Sequence, residues 1–131
     1  MIEINNICKN FGAKQALRDV TFNVAEGEIM GFLGPNGAGK TTTMNILTGY
    51  LSATSGTARI DGVDVLEKPL LAKSKIGFLP EQPPLYMDMT VKEYLNFVYG
   101  LKNCRLPRAQ HIKESCEVVR ISDVYGRIIK N

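Results

Sequence analysis

Gly34 and Gly39 stand with four residues between them, and Lys40 and Thr41 follow directly. The whole run is Gly34-Pro35-Asn36-Gly37-Ala38-Gly39-Lys40-Thr41-Thr42. These residue types at this spacing suit one chemistry, the holding of a phosphate chain. Glycines let the backbone take positive φ and approach an anion closely. Successive N–H groups then converge on one concavity, a nest for phosphate oxygens. A helix starting near Lys40 adds the positive end of its dipole. Lys40 supplies a mobile charge for the β- and γ-phosphates. Thr41 offers a hydroxyl to Mg²⁺, which prefers hard oxygen ligands. Thr42 is placed for the α-phosphate region. The pattern is a P-loop, and its implied ligand is a nucleoside triphosphate with Mg²⁺.

Such a loop needs a strand to enter it and a helix to leave it. Residues 28–33 form a short, nearly continuous apolar run of the kind buried on both faces of a sheet. Residues 41–47 read as the helix, with Met44 and Leu47 one turn apart. Before the apolar run, Val20, Phe22 and Val24 alternate as in a half-buried strand, and Glu26-Gly27 marks a turn. After the helix, Gly49 and residues 52–56 read as loop. Residues 57–65 read as a strand, an Asp61-Gly62 turn and a short extended piece. Residues 75–79 read as another short apolar strand, ended by Pro80, and Pro83-Pro84 makes a stiff loop.

Thr90-Val91-Lys92-Glu93 has the form of a capping box. Behind it Val91, Tyr94, Leu95, Val98 and Leu101 recur at helical spacing. Pro107 opens a further amphipathic helix carrying Ile112, Cys116 and Val119. This order of strands and helices argues for an α/β fold with a partly parallel sheet.

The composition narrows the function classes. The chain has 131 residues, 44% hydrophobic and 22% charged, which fits one ordinary globular domain. No apolar run approaches the roughly 20 residues that span a bilayer, and the first residues lack a secretory pattern, so a cytosolic protein is expected. A net charge of +3 is too weak to imply nucleic acid or an anionic membrane, and no nucleic-acid partner is expected. Cys8, Cys104 and Cys116 lack metal-ligand spacing and read as reduced thiols. His111 is the only histidine, which excludes a His-rich metal site.

The wording GPNGAGKTT is narrower than the general pattern and resembles the Walker A motif of ATP-binding cassette (ABC) proteins. The resemblance covers essentially the whole chain. The stretch NICKNFGAKQALRDVTFNVAEGEIMGFLGPNGAGKTTTMNILTGYLSATSGTARIDG resembles the opening of a transporter cassette. KIGFLPEQPPLYMDMTVKEYL resembles the Q-loop region and the start of the helical subdomain. The fold this implies is a P-loop NTPase: a RecA-like core, the ABC antiparallel β-subdomain and the start of the helical subdomain, truncated. Residues 1–131 would be the N-terminal part of one nucleotide-binding domain.

Site roles follow from the resemblance, position by position. Phe11 falls at the aromatic A-loop position that stacks on adenine, and a phenyl ring can do this without the usual tyrosine hydroxyl. Ala16 falls where a small apolar residue lines the adenine pocket. Gly34, Pro35, Asn36, Gly37, Ala38, Gly39, Lys40, Thr41 and Thr42 form the phosphate loop. Glu81 falls at the Q-loop position, where the family usually has a glutamine that reaches Mg²⁺ and the attacking water. Gln82 is its neighbour, but only Glu81 keeps the Pro-Leu-Tyr stretch at the family offset. The implied catalytic residues are therefore Lys40 and Glu81, and the implied Mg²⁺ ligands Thr41 and Glu81.

A complete cassette of the family is nearly twice as long. Its signature motif, its Walker B aspartate with the adjacent glutamate, and its switch histidine have no match in this sequence. The ending Arg127-Ile128-Ile129-Lys130-Asn131 looks like the approach to a signature motif. The expectation is an N-terminal portion that binds ATP and does not hydrolyse it unaided, with apolar sheet edges left open. The parent would be an ATPase coupled to transport, in the export direction given Leu79-Pro80-Glu81. Its partners would be a membrane permease and a second cassette, and its place the inner face of the membrane. Two other readings stay open on the sequence: a soluble cassette protein such as a ribosome-associated translation factor, and a regulatory module that never hydrolyses.

Overall fold

A computed structural model describes residues 1–102 and 104–130; Asn103 and Asn131 lie outside the described residues. The chain forms two units, Met1–Phe78 and Leu79–Asn131.

The first unit is built on β1 (Ile2–Phe11), β2 (Lys14–Val24), β3 (Ser55–Ile60) and β4 (Val63–Asp64). They form one sheet in the order β2-β1-β3-β4, and every pairing is antiparallel. Two helices belong to the same unit, α1 (Lys40–Leu47) and α2 (Pro69–Ser74). Ile4, Ile7, Leu17, Ala58 and Ile60 of the sheet bury together with Ile46 and Leu47 of α1, Ala72 of α2, and Val65 in the connection between β4 and α2.

Ile4 and Ile7 are three apart, so a regular strand would send them to opposite faces. The strand solves this with an irregularity. Asn6 takes φ +47, the register shifts between Ile4 and Ile7, and both side chains end fully buried. Leu17 and Val20 pose the same problem on β2, where Asp19 also takes φ +47 and its N–H meets the Cys8 sulfur at 3.3 Å. On the third strand Gly56 makes room for this bulge. A Cβ there would lie 2.3 Å from the Asn6 carbonyl oxygen, and its φ is +86. The broken alternation hides β1 from a period-two reading, and the sequence reading contains no strand there.

The Asp61-Gly62 turn joins β3 to β4 as expected, with both residues at positive φ. Two expected strands differ. Residues 28–33 and 75–79 carry no ladder, and Ile29 is 99% exposed and Leu33 93%. The expected partly parallel sheet is thus antiparallel throughout among the described residues. A strand buried on both faces holds its shape only between hydrogen-bonded neighbours, and none of the described strands pairs with either segment. Within the first of them, Phe32 still packs on Phe22, with ring centroids 5.3 Å apart.

The second unit carries α3 (Val91–Leu101), α4 (Arg108–Val118) and a 3₁₀ turn at Ser122–Val124. The capping box is complete: Thr90 Oγ1 accepts from the Glu93 N–H, and the Thr90 N–H donates to Glu93 Oε2. The Tyr99 hydroxyl closes the connection to α4, sharing its one proton between the carbonyls of Cys104 and Leu106. On α4, Ile112 and Cys116 are buried, whereas Val119 caps the helix end and faces water. Among the described residues, no helix is long and apolar enough to cross a membrane.

Candidate nucleotide-binding site

The loop at residues 34–42 lies between the unladdered apolar segment and α1. Gly39 is the N-cap of α1 in the left-handed conformation, φ +91, and no side chain caps the helix. The N–H groups of Gly37, Gly39, Lys40, Thr41 and Thr42 meet no acceptor among the described residues. They form the donor set that a phosphate chain needs. No acidic side chain stands in the first turn to oppose an anion.

Lys40 Nζ turns back on the loop, donating to the carbonyls of Gly34 at 2.5 Å and Pro35 at 2.9 Å. The ammonium is thus held at the mouth of the loop by two neutral acceptors, which a phosphate oxygen can replace with a stronger, charge-assisted bond. Thr43 is buried and ties its hydroxyl to the Gly39 carbonyl at 3.0 Å, which locks the first turn. Thr41, the expected metal ligand, is exposed, and Thr42 is half-buried.

Gly39 also docks the loop on the sheet. A Cβ at this position would stand 2.4 Å from Leu17 Cδ2 and 2.9 Å from the Ala16 carbonyl oxygen. The structure therefore brings Ala16 and the phosphate loop together, two expected site features 23 residues apart. No sequence pattern pointed to Leu17 as the surface on which the loop rests. Its place in the core depends on the Asp19 irregularity.

Phe11 ends β1 opposite Lys14, beside the turn that leads to β2, and is 48% exposed. Lys9 Nζ lies 5.1 Å from the centre of its ring. Glu81 belongs to the second unit, is exposed and has no hydrogen-bond partner among the described residues. The first unit by itself therefore gathers Ala16 and residues 34–42, and Glu81 is not part of that unit. Among the described residues, no group of three or more His, Cys, Asp or Glu is placed to hold a metal ion. What the first unit itself could offer a magnesium ion is the Thr41 hydroxyl, beside the nucleotide's own phosphates.

Residues 17–131 match the sequence pattern of the ABC transporter family. The chain belongs to that family. It is 40% identical over 124 residues to the ABC transporter ATP-binding protein YxlF of Bacillus subtilis, covering 94% of this chain and 40% of that protein. It is also 40% identical to the probable multidrug ABC transporter ATP-binding protein YbhF of Escherichia coli, covering 96% of this chain and 21% of that one. The chain thus spans less than half the length of these relatives. Among solved structures, the ATP-binding subunit of an ABC transporter superposes with a TM-score of 0.84 at 26% identity, over 97% of this chain and 53% of that chain. A dimeric ATP-binding cassette bound to ADP and Pi superposes with a TM-score of 0.77 at 26% identity, over all of this chain and 61% of its own. The P-loop NTPase fold expected from the sequence is the fold of these neighbours.

Proposed function

We propose that this ABC family chain binds Mg-ATP at residues 34–42 and is the nucleotide-binding portion of an ATPase that drives export across a membrane. The observation that carries the reading is the uncapped start of α1, where five N–H groups without acceptors and the Lys40 ammonium gather at one loop. In this reading the loop cradles the phosphates, Thr41 meets Mg²⁺, and Phe11 and Ala16 receive the adenine. Glu81 serves the metal and the attacking water, as a carboxylate in place of the family's glutamine. Likeness to YbhF, a probable multidrug ABC transporter ATP-binding protein, supports export over a role in translation. The partners in this reading are a permease and a second cassette, and the chain works at the cytoplasmic face of the membrane. The dimeric cassette among its neighbours supports the second of these.

Phosphate cradling is local, whereas activation of water needs groups beyond the loop. The 131-residue chain therefore binds Mg-ATP and releases phosphate at no more than background rate. The test is a calorimetric titration with Mg-ATP of this chain and its Lys40→Ala variant. Saturable binding, weakened at least about tenfold in the variant, is expected from the loss of one charge-assisted contact. Binding that is absent, or indifferent to Lys40→Ala, overturns the nucleotide site. Steady turnover abolished by Lys40→Ala overturns the statement on hydrolysis alone.

A further inference from the structure

We propose that Lys9 is a positioning residue for the base: it backs one face of the Phe11 ring and leaves the opposite face for adenine. This rests on the reading of Phe11 as the adenine-stacking residue. The Lys9 ammonium is 5.1 Å from the ring centre and donates to the Ser52 carbonyl at 2.7 Å. Among the described residues it has no carboxylate partner. A lysine on a strand usually trails its charge into water. This one is held between a neutral carbonyl and a π-face.

Its anchor is itself fixed. Thr54, two residues beyond Ser52, donates its N–H to the Cys8 carbonyl at 2.8 Å, and its hydroxyl accepts from the Asn10 N–H at 3.0 Å. The connection after α1 is thus sewn to the β1 residues on either side of Lys9. Phe11, by contrast, is the last residue of β1 and half-exposed. Without a backing group, binding would have to order the ring as well as the base. A cation on one face of an aromatic ring attracts it through the ring quadrupole and fixes its plane. A phenyl face is an apolar platform of the right kind for a purine, and Phe11 keeps about half of its surface exposed.

The experiment compares Mg-ATP with Mg-tripolyphosphate, which has the phosphates and no base. Dissociation constants are measured for the 131-residue chain, for Lys9→Gln, Lys9→Arg and Phe11→Ala, and for Lys9→Gln combined with Phe11→Ala. Glutamine keeps a donor for the Ser52 carbonyl and removes the cation; arginine keeps both. Lys9→Gln is expected to weaken Mg-ATP about two- to fivefold, to leave tripolyphosphate unchanged, and to add no loss on top of Phe11→Ala. Lys9→Arg is expected to bind as the unaltered chain does. If Phe11→Ala weakens ATP while Lys9→Gln does not, the inference is wrong and the stacking reading stands. If Lys9→Gln weakens ATP and tripolyphosphate equally, Lys9 attracts phosphate and the inference is wrong. If Phe11→Ala leaves ATP binding unaltered, or the unaltered chain binds no ATP, the stacking reading falls and this inference falls with it.

Discussion

β1 and residues 28–33 are both short stretches whose isoleucines suit a strand, and they meet opposite fates. Ile4, in β1, is fully buried between β2 and β3; Ile29 is 99% exposed and without a ladder. The difference lies in where the partners come from. β2 returns to β1 through a turn of two residues, Gly12-Ala13, and antiparallel pairing needs no more than that. A central parallel strand needs neighbours on both edges, each reached by a long crossover. Apolar composition makes a segment fit to be a strand, but ladder partners make it one.

The sharpest way to break this comparison is a pair of matched truncations, Ile4→Ala and Ile29→Ala, followed by urea unfolding of the first unit. Ile4→Ala is expected to cost about 2 to 5 kcal/mol, because it empties a filled core site. Ile29→Ala is expected to stay within about 0.5 kcal/mol, as for an exposed side chain. Equal costs would mean that residues 28–33 are paired in solution, and the contrast would vanish.

Gly39→Ala probes the point at which the sheet meets the loop. A methyl there must endure φ +91 and a contact of 2.9 Å with the Ala16 carbonyl oxygen. Together these are expected to cost about 2 kcal/mol and to weaken Mg-ATP binding, since the loop can no longer rest on Leu17. A melting temperature equal to that of the unaltered chain would show that the loop docks elsewhere.

A smaller effect than at Gly39 is expected in the second unit, where Thr90→Ala removes half of the capping box. The loss should be about 1 kcal/mol, read as faster amide exchange in the first turn of α3. Glu93 also gives this cap a pH signature. Its carboxyl is held below its ordinary value of 4.5, first by the Thr90 N–H and then by the Thr90 hydroxyl, against a weaker effect of burial. A carboxyl lowered by folding stabilises fully above its ordinary value and loses that contribution as pH falls through the lowered one. Helix content should therefore fall in that acidic range, and fall less in Thr90→Ala, where only the backbone donor remains. An identical acid transition in both chains would remove Glu93 from the cap.

Much of the candidate site was legible because its logic is local. The phosphate loop, the helix that leaves it, the Asp61-Gly62 turn and the Thr90/Glu93 cap each depend on residues within a few positions of one another. The seat of Gly39 against Ala16, and the hold of Ser52 on Lys9, join residues 23 and 43 positions apart. No short pattern carries such information. β1 escaped notice for another reason: its bulge converts a spacing of three into a single buried face, which the alternation rule cannot register.

By itself, the sequence determined the glycine-rich loop pattern, helices α1, α3 and α4, the Asp61-Gly62 turn, and the family to which the chain belongs. These rest on backbone freedom, charge and hydrogen bonding over a few residues. Only the tertiary structure decided which apolar segments became strands, in what order the sheet runs, and which side chains support the loop. Those outcomes depend on surfaces that meet across dozens of residues, where burial rewards a partner that local propensity cannot specify.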